Sequence, residues 1–293
     1  GTELLYFEER CRSCGACARA CPAAAHRMTA GGRHVFERSL CVLHGDCVAA
    51  CPSGALELSS RTVSVEEALG IVLRDERYYR GSGGGMTLSG GEPLLQPGFT
   101  RALVEGARAR GVHTAVDTCL YASRQQVEAL AAEVDLWLVD IKQVDSRRHE
   151  ELTGVPSEGI IENLRLLAAT ARGDLWIRVP LVEGANADDA SLAAAAGLIE
   201  DLPRVSRVEL LAYHGMGLDK RRALGEPAPR AFSPPPAGRG SAFAARLRAR
   251  GIDVRDATER PDPSPQGVMP GCTRSCPTRC AGAPRSSYPR TGA

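Results

Sequence analysis

Lysine is almost missing from this chain: 293 residues carry 36 Lys and Arg together, and only Lys142 and Lys220 are lysines. Codon bias accounts for such scarcity, but it marks Lys142, which ends a strand-like run, as a residue worth weighing. Net charge is nearly missing too. The 36 bases face 35 acids, a formal charge of +1, which excludes the basic excess that holds nucleic acid by charge. No run of roughly 18 or more apolar residues occurs, so no membrane-spanning helix is expected. The opening GTELLYFEER has neither the basic nor the apolar stretch of a signal peptide, and a cytoplasmic protein is expected. What remains is an ordinary globular balance, 43% hydrophobic, enough for one large domain and a small one.

Cysteine is abundant, but its distribution excludes a secreted disulfide scaffold. The chain is several times too long for that class, and seven of its 11 cysteines fall between Cys11 and Cys51. Cys11-x2-Cys14-x2-Cys17-x3-Cys21-Pro22 has the spacing of a bacterial ferredoxin 4Fe–4S site, whose fourth cysteine serves the other cluster in two-cluster folds. A zinc site does not need four cysteines in that order. Cys41-x2-His44-x2-Cys47-x3-Cys51-Pro52 repeats the run, with His44 where a cysteine is expected. Crossing assigns one cluster to Cys11, Cys14, Cys17 and Cys51, and the other to Cys41, Cys47 and Cys21. His44 completes the second site, or that site holds a three-iron cluster, or it holds none; spacing leaves these open. Cys272, Cys276 and Cys280 match no such pattern and read as incidental. Cys119 reads as a small buried hydrophobe.

Past residue 61 the texture changes. GGGMTLSGG, HTAVDT (113–118), DLWLVDIK (135–142), DLWIRVPLV (174–182) and VSRVELLAYH (205–214) are strand-like. Helical patterns lie between them, at 63–79, 97–111 and near 123–132, 158–171 and 187–201. Such alternation builds βαβ units and a parallel sheet whose C-terminal strand ends line the ligand site. Glu92, Asp117, Asp140, Lys142 and His214 all stand at or just past such ends. A further helix, GSAFAARLRARG, and a short IDVR strand follow, and residues 257–293, rich in Pro, Arg, Ser and Gly, read as a disordered tail.

The double cysteine run followed in order by MTLSGGEPLLQP, HTAVDT, DLWLVDIK, HxxLTGV (His149 to Val155), ENLR (162–165), IRVPLVEGAN and VELLAYH resembles the glycyl-radical enzyme activating enzymes of the radical S-adenosylmethionine superfamily. The resemblance runs from Phe7 to Arg255. It implies an α/β fold, a partial (β/α) barrel of the radical S-adenosylmethionine type over residues 61–256 showing five of its strands, with an inserted α+β ferredoxin-like domain of two 4Fe–4S clusters over residues 11–60. It also implies reductive cleavage of S-adenosylmethionine to a 5′-deoxyadenosyl radical that abstracts hydrogen from a glycine of a partner enzyme. By resemblance, Gly90, Gly91 and Glu92 let backbone approach the methionyl amino group, Asp117 and Asp140 accept near the adenosyl or methionyl groups, and Lys142 sits beside the methionyl carboxylate. Arg178 and His214 reach the cofactor or the glycyl loop. The implied partners are a glycyl-radical enzyme and a reduced flavodoxin or ferredoxin as electron donor, with neither nucleic acid nor membrane.

Two departures stand out. Leu120 occupies a place where the family has glycine. The family's CxxxCxxC, which ligates the radical cluster ahead of the ferredoxin insert, is not found among these residues, and neither is the first barrel strand. The expectation is an N-terminally truncated sequence, inactive as it stands, with residues 1–10 a remnant of the barrel. The rival readings are a non-catalytic iron–sulfur electron-transfer protein and a metabolic barrel enzyme using Lys142 as base or Schiff-base residue.

Overall fold

In the computed structural model, which describes residues 2–215, 217–226 and 232–258, the cysteine-rich stretch folds as two repeats of one unit. Each repeat runs through a strand, a 3-10 turn, a cysteine loop, a short helix and a second strand. The first has β1 (Leu4–Tyr6), α1 (Ala16–Ala20) and β2 (His26–Met28). The second has β3 (His34–Phe36), α2 (Asp46–Ala50) and β4 (Leu56–Leu58). Pairing crosses between them: β1 lies antiparallel to β4, and β2 to β3. Loop geometry repeats as well, with left-handed backbone at Ser13 and Gly15 in one and at Leu43 and Gly45 in the other. Residues 4–10 therefore belong to this unit and are not a barrel remnant, because β1 supplies the partner that β4 needs for its backbone hydrogen bonds. Arg38 fastens the unit to the rest of the chain, donating to Leu4 O at 2.8 Å and to Ala223 O.

The larger part begins with α3 (Val65–Val72), started by a capping box between Ser64 and Glu67. The single helix expected over 63–79 is in fact two. The apolar stripe ends at Leu73, the chain tightens into a 3-10 turn at Leu73–Asp75, and α4 (Glu76–Ser82) follows. Six parallel strands follow: β5 (Gly85–Leu88), β6 (His113–Thr118), β7 (Leu136–Asp140), β8 (Asp174–Leu181), β9 (Arg207–Ala212) and β10 (Asp253–Asp256). They are six and not five, because the short strand at 253–256 pairs with β9 over four residues and extends the sheet. The intervening helices are α5 (Pro97–Arg108), α6 (Arg124–Ala131), α7 (Ser146–Thr153), α8 (Glu158–Thr170), α9 (Asp189–Glu200), α10 (Gly217–Ala223) and α11 (Ser241–Arg248). Sequence periodicity had not shown α7 or α10, both short and highly charged.

Strand order equals chain order, β5 to β10. Right-handed crossovers that all step the same way put every helix on one face, as in a barrel that has not closed. Alternation along the strands fits this. Trp137, Val139, Ile177, Val179, Val208 and Leu210 are buried against α6, α8, α9 and α11 in the main core. Leu138, Asp140, Trp176, Arg178 and Glu209 point to the opposite face and are half-buried. Among the described residues, the face opposite those helices carries the half-buried polar side chains of Asp140, Arg178 and Glu209. No described helix is long and apolar enough to cross a membrane. The tail expectation, with Cys272, Cys276 and Cys280, falls mostly outside the described residues.

Candidate functional site

The cysteines gather into two cavities that follow the crossing rule. One is lined by Cys11, Cys14 and Cys17 from the first run and Cys51 from the second. The other is lined by Cys41, Cys47 and His44 from the second run and Cys21 from the first. Backbone donors already aim at the sulfurs: Ala25 N–H to Cys21 Sγ and Ala55 N–H to Cys51 Sγ, both at 3.3 Å, and Ser13 N–H to Cys11 Sγ at 3.4 Å. Burial works against a Cys51 thiolate, yet donors from Ser53 and Ala55 outweigh it and hold its pKa below the ordinary value. Burial and the neighbouring Cys41 and Cys21 push Cys47 up to about 11, a thiol that needs a metal to ionise. No disulfide ties any of these cysteines. A pocket of four thiols and one of three thiols and an imidazole, with N–H groups on the sulfurs, fit iron–sulfur clusters. His44 turns Nε2 towards Cys21 Sγ at 3.8 Å, while its Nδ1 accepts from the Asp46 backbone N–H at 3.2 Å.

The second set lies at the C-terminal ends of the parallel strands. Gly90 and Gly91, just after β5, have φ of 85° and 68°, and a Cβ on either would meet nothing within 4 Å. The left-handed backbone favours glycine there, and the space beside each Cα is open. The Glu92 side chain is engaged within the protein. Its Oε1 accepts from Thr118 Oγ1 at 2.6 Å and Leu94 N at 3.1 Å, and its Oε2 from Cys119 N at 2.8 Å and Cys119 Sγ at 3.1 Å. With both oxygens engaged, Glu92 ties the glycine loop to the end of β6. Cys119 is partly exposed and is a donor in this tie, so it is more than a buried apolar filler.

Asp117 and Asp140 bracket one guanidinium. Arg178 pairs with Asp117 Oδ1 and donates to Asp140 Oδ1 at 2.9 Å, with all three groups on the face of the sheet opposite the main core. Burial raises the Asp140 pKa although Arg178 opposes it. Lys142 is exposed just past β7, and His214 is exposed two residues past β9. The structure thus brings Gly90, Gly91, Asp117, Asp140, Lys142 and Arg178 to one end of one sheet.

Several residues that the sequence did not single out hold this end together. Asn186, from the EGAN run, donates to Lys142 O and Pro180 O, both at 2.7 Å, and joins the ends of β7 and β8. Asn163, from ENLR, donates to Leu120 O at 3.1 Å and Ala122 O at 2.8 Å. Leu120 is left-handed, φ 59°, so the turn expected of glycine forms on a fully buried leucine and is held by this clamp. Asn163→Ala is expected to cost about 2 kcal/mol, lowering the thermal midpoint by several degrees in a calorimetric scan. His149 is structural: its Nδ1–H donates to Val155 O at 2.7 Å beneath the Gly154 turn.

Comparison with known proteins agrees with this geometry. Residues 4–61 match the 4Fe-4S dicluster domain and residues 50–195 the Radical SAM superfamily. The choline trimethylamine-lyase activating enzyme of Oleidesulfovibrio alaskensis is 40% identical over 231 residues, covering 76% of this chain and 73% of that one. The isethionate sulfite-lyase activating enzyme of Nitratidesulfovibrio vulgaris is 42% identical over 236 residues (78% and 75%), and the benzylsuccinate synthase activating enzyme of Thauera aromatica 36% over 261 (86% and 78%). Among solved structures, a domain of a pyruvate-formate lyase-activating enzyme from Bacteroides vulgatus superposes with a TM-score of 0.50 at 31% identity, covering 59% of this chain and 98% of that one. The chain therefore belongs to the glycyl-radical enzyme activating enzymes of the radical S-adenosylmethionine superfamily, with S-adenosylmethionine and 4Fe–4S clusters as its cofactors and a glycyl-radical enzyme as its partner.

Proposed function

We propose that the protein activates a glycyl-radical lyase, dehydratase or decarboxylase by generating its glycine-centred radical. When bound, S-adenosylmethionine and a reduced cluster with one open iron supply a 5′-deoxyadenosyl radical by one-electron cleavage of the sulfonium, and that radical takes a hydrogen atom from the partner's glycine. The observation that carries the reading is the convergence, at one end of an all-parallel sheet, of the open Gly90–Gly91 loop with Asp117, Asp140, Lys142 and Arg178 in a chain of this family. Gly90 and Gly91 let backbone approach the methionyl amino group. Lys142 offers its ammonium to the methionyl carboxylate. Asp117 and Asp140 keep Arg178 oriented on the face opposite the main core, where with His214 it meets the cofactor or the incoming glycyl loop. The two cysteine cavities hold accessory clusters that relay electrons from a reduced ferredoxin or flavodoxin, and His44 is the fourth ligand of the second.

One observation favours a second reading: the 293 residues contain no CxxxCxxC, the motif that this chemistry needs for its open iron. Without it the same chain is a non-catalytic electron-transfer relative. Reading the coding DNA in frame upstream of the Gly1 codon separates the two. An in-frame CxxxCxxC within several tens of codons is the expected result, and a start codon beside Gly1 with no such motif overturns the activase reading.

A further inference from the structure

The two repeats of the cysteine-rich unit, offset by 30 residues from Cys11 to Cys41, differ where they most need not. In the β1–β4 hairpin the inward positions are Leu4 and Leu56, 3% and 2% exposed. The same positions of the β2–β3 hairpin are His34 and His26, 4% and 3% exposed. Since the fold is satisfied by leucine at both places, two buried imidazoles are not there to build it. They also cost more to bury.

Their placement connects the cavities. His34 lines the one with Cys11, Cys14, Cys17 and Cys51, and His26 lines the one with Cys21, Cys41, His44 and Cys47. His26 Nδ1 and His34 Nε2 are 3.0 Å apart, and His34 Nδ1 lies 3.9 Å from Cys11 Sγ. Edge contact with Tyr6 fixes the His34 ring, and stacking on Phe36 fixes His26. His26 Nε2 is buried and has no partner. These contacts settle the tautomers. A ligating Cys11 is a thiolate and only accepts, so His34 carries its proton on Nδ1 and donates to the sulfur. His34 Nε2 then accepts from His26 Nδ1–H, and His26 Nε2 is left as a bare lone pair, which is why it lacks a donor's partner.

We infer that the His26–His34 pair is a positioning device that sets the two clusters at different potentials. A hydrogen bond to a cluster sulfur favours the reduced cluster. The first cavity receives one from His34 where the sister repeat has Leu4, and the second cavity is lined by His26 where the sister repeat has Leu56. The inference rests on the ligand assignment proposed above.

The test is EPR-monitored potentiometry of the whole chain, loaded anaerobically with iron and sulfide, with Cys14→Ser marking the signal of the first cavity. His34→Leu is expected to lower the reduction constant of that marked cluster about tenfold, 59 mV for one electron, while the other signal moves much less. His34→Gln, which keeps an N–H donor, is expected to recover part of the shift. Should His34→Leu fold poorly, the double variant His26→Leu/His34→Leu copies the Leu4/Leu56 pair that this fold already accepts. An unmoved marked signal, or equal shifts in both, overturns the inference. So does one zinc per loaded chain that is lost with His34→Leu, since Cys17, His26 and His34 place ligand atoms within 4.8 Å of one another. If Cys14→Ser leaves both signals intact, the ligand assignment itself has failed. If it removes one and His34→Leu moves neither, the assignment stands and only the inference falls.

Discussion

Cys51→Ser removes the cluster that shares a cavity with Cys11, Cys14 and Cys17, and Cys21→Ser removes the one that shares a cavity with Cys41 and Cys47. This is the expected result of exchanging the last cysteine of each run, and it is opposite to what chain proximity alone implies. The crossing arises because β1 pairs with β4 and β2 with β3, so each run's final cysteine, at the end of its helix, is carried across to the other repeat. Each substitution is expected to lower iron content by about four atoms per chain, one cubane. Mössbauer and EPR spectra of Cys51→Ser should match those of Cys14→Ser and differ from those of Cys47→Ser. Spectra that pair Cys51→Ser with Cys47→Ser contradict the assignment.

Glu92→Ala is expected to cost about 3 kcal/mol of stability and to weaken S-adenosylmethionine binding at least tenfold, or about 1.4 kcal/mol, although Glu92 makes no cofactor contact in this account. Its carboxylate receives four donors, and removing it strands the amides of Leu94 and Cys119 and the Thr118 hydroxyl together. With that tie gone, the two left-handed glycines no longer hold their loop against β6. Glutamine is no rescue, because each oxygen of Glu92 faces donors and whichever place the amide NH2 takes opposes an N–H or O–H. Calorimetric titration with S-adenosylmethionine checks this. Wild-type affinity in Glu92→Ala contradicts the anchoring role.

Much of the sheet was legible because a parallel strand buried on one face and lining a site on the other leaves a clear mark. HTAVDT is β6 to the residue, and DLWLVDIK and VSRVELLAYH overran their strands by only two residues or fewer at each end. The cysteine pattern carried the two-cavity arrangement, since metal-ligand spacing is a distance constraint written into sequence. Illegible were features that depend on what lies far away in the chain. The side-chain tie made by Glu92 could not be seen because its partners, Thr118 and Cys119, come 26 and 27 positions later. Leu120 read only as a departure from a motif, and nothing local showed that Asn163 would hold it. Residues 4–10 looked like a leftover because a three-residue strand has no identity without its partner β4. His26 and His34 drew no notice, for isolated histidines lack a pattern until β2 and β3 bring them together.

The most direct test of the central claim is an EPR measurement. The natural in-frame protein, loaded anaerobically with its clusters, is mixed with S-adenosylmethionine, a one-electron reductant and a glycyl-radical enzyme encoded beside it. A glycine-centred radical doublet on the partner, with 5′-deoxyadenosine released in step, is the result this account expects. Loaded clusters that reduce normally while neither radical nor 5′-deoxyadenosine forms with any such partner would contradict it.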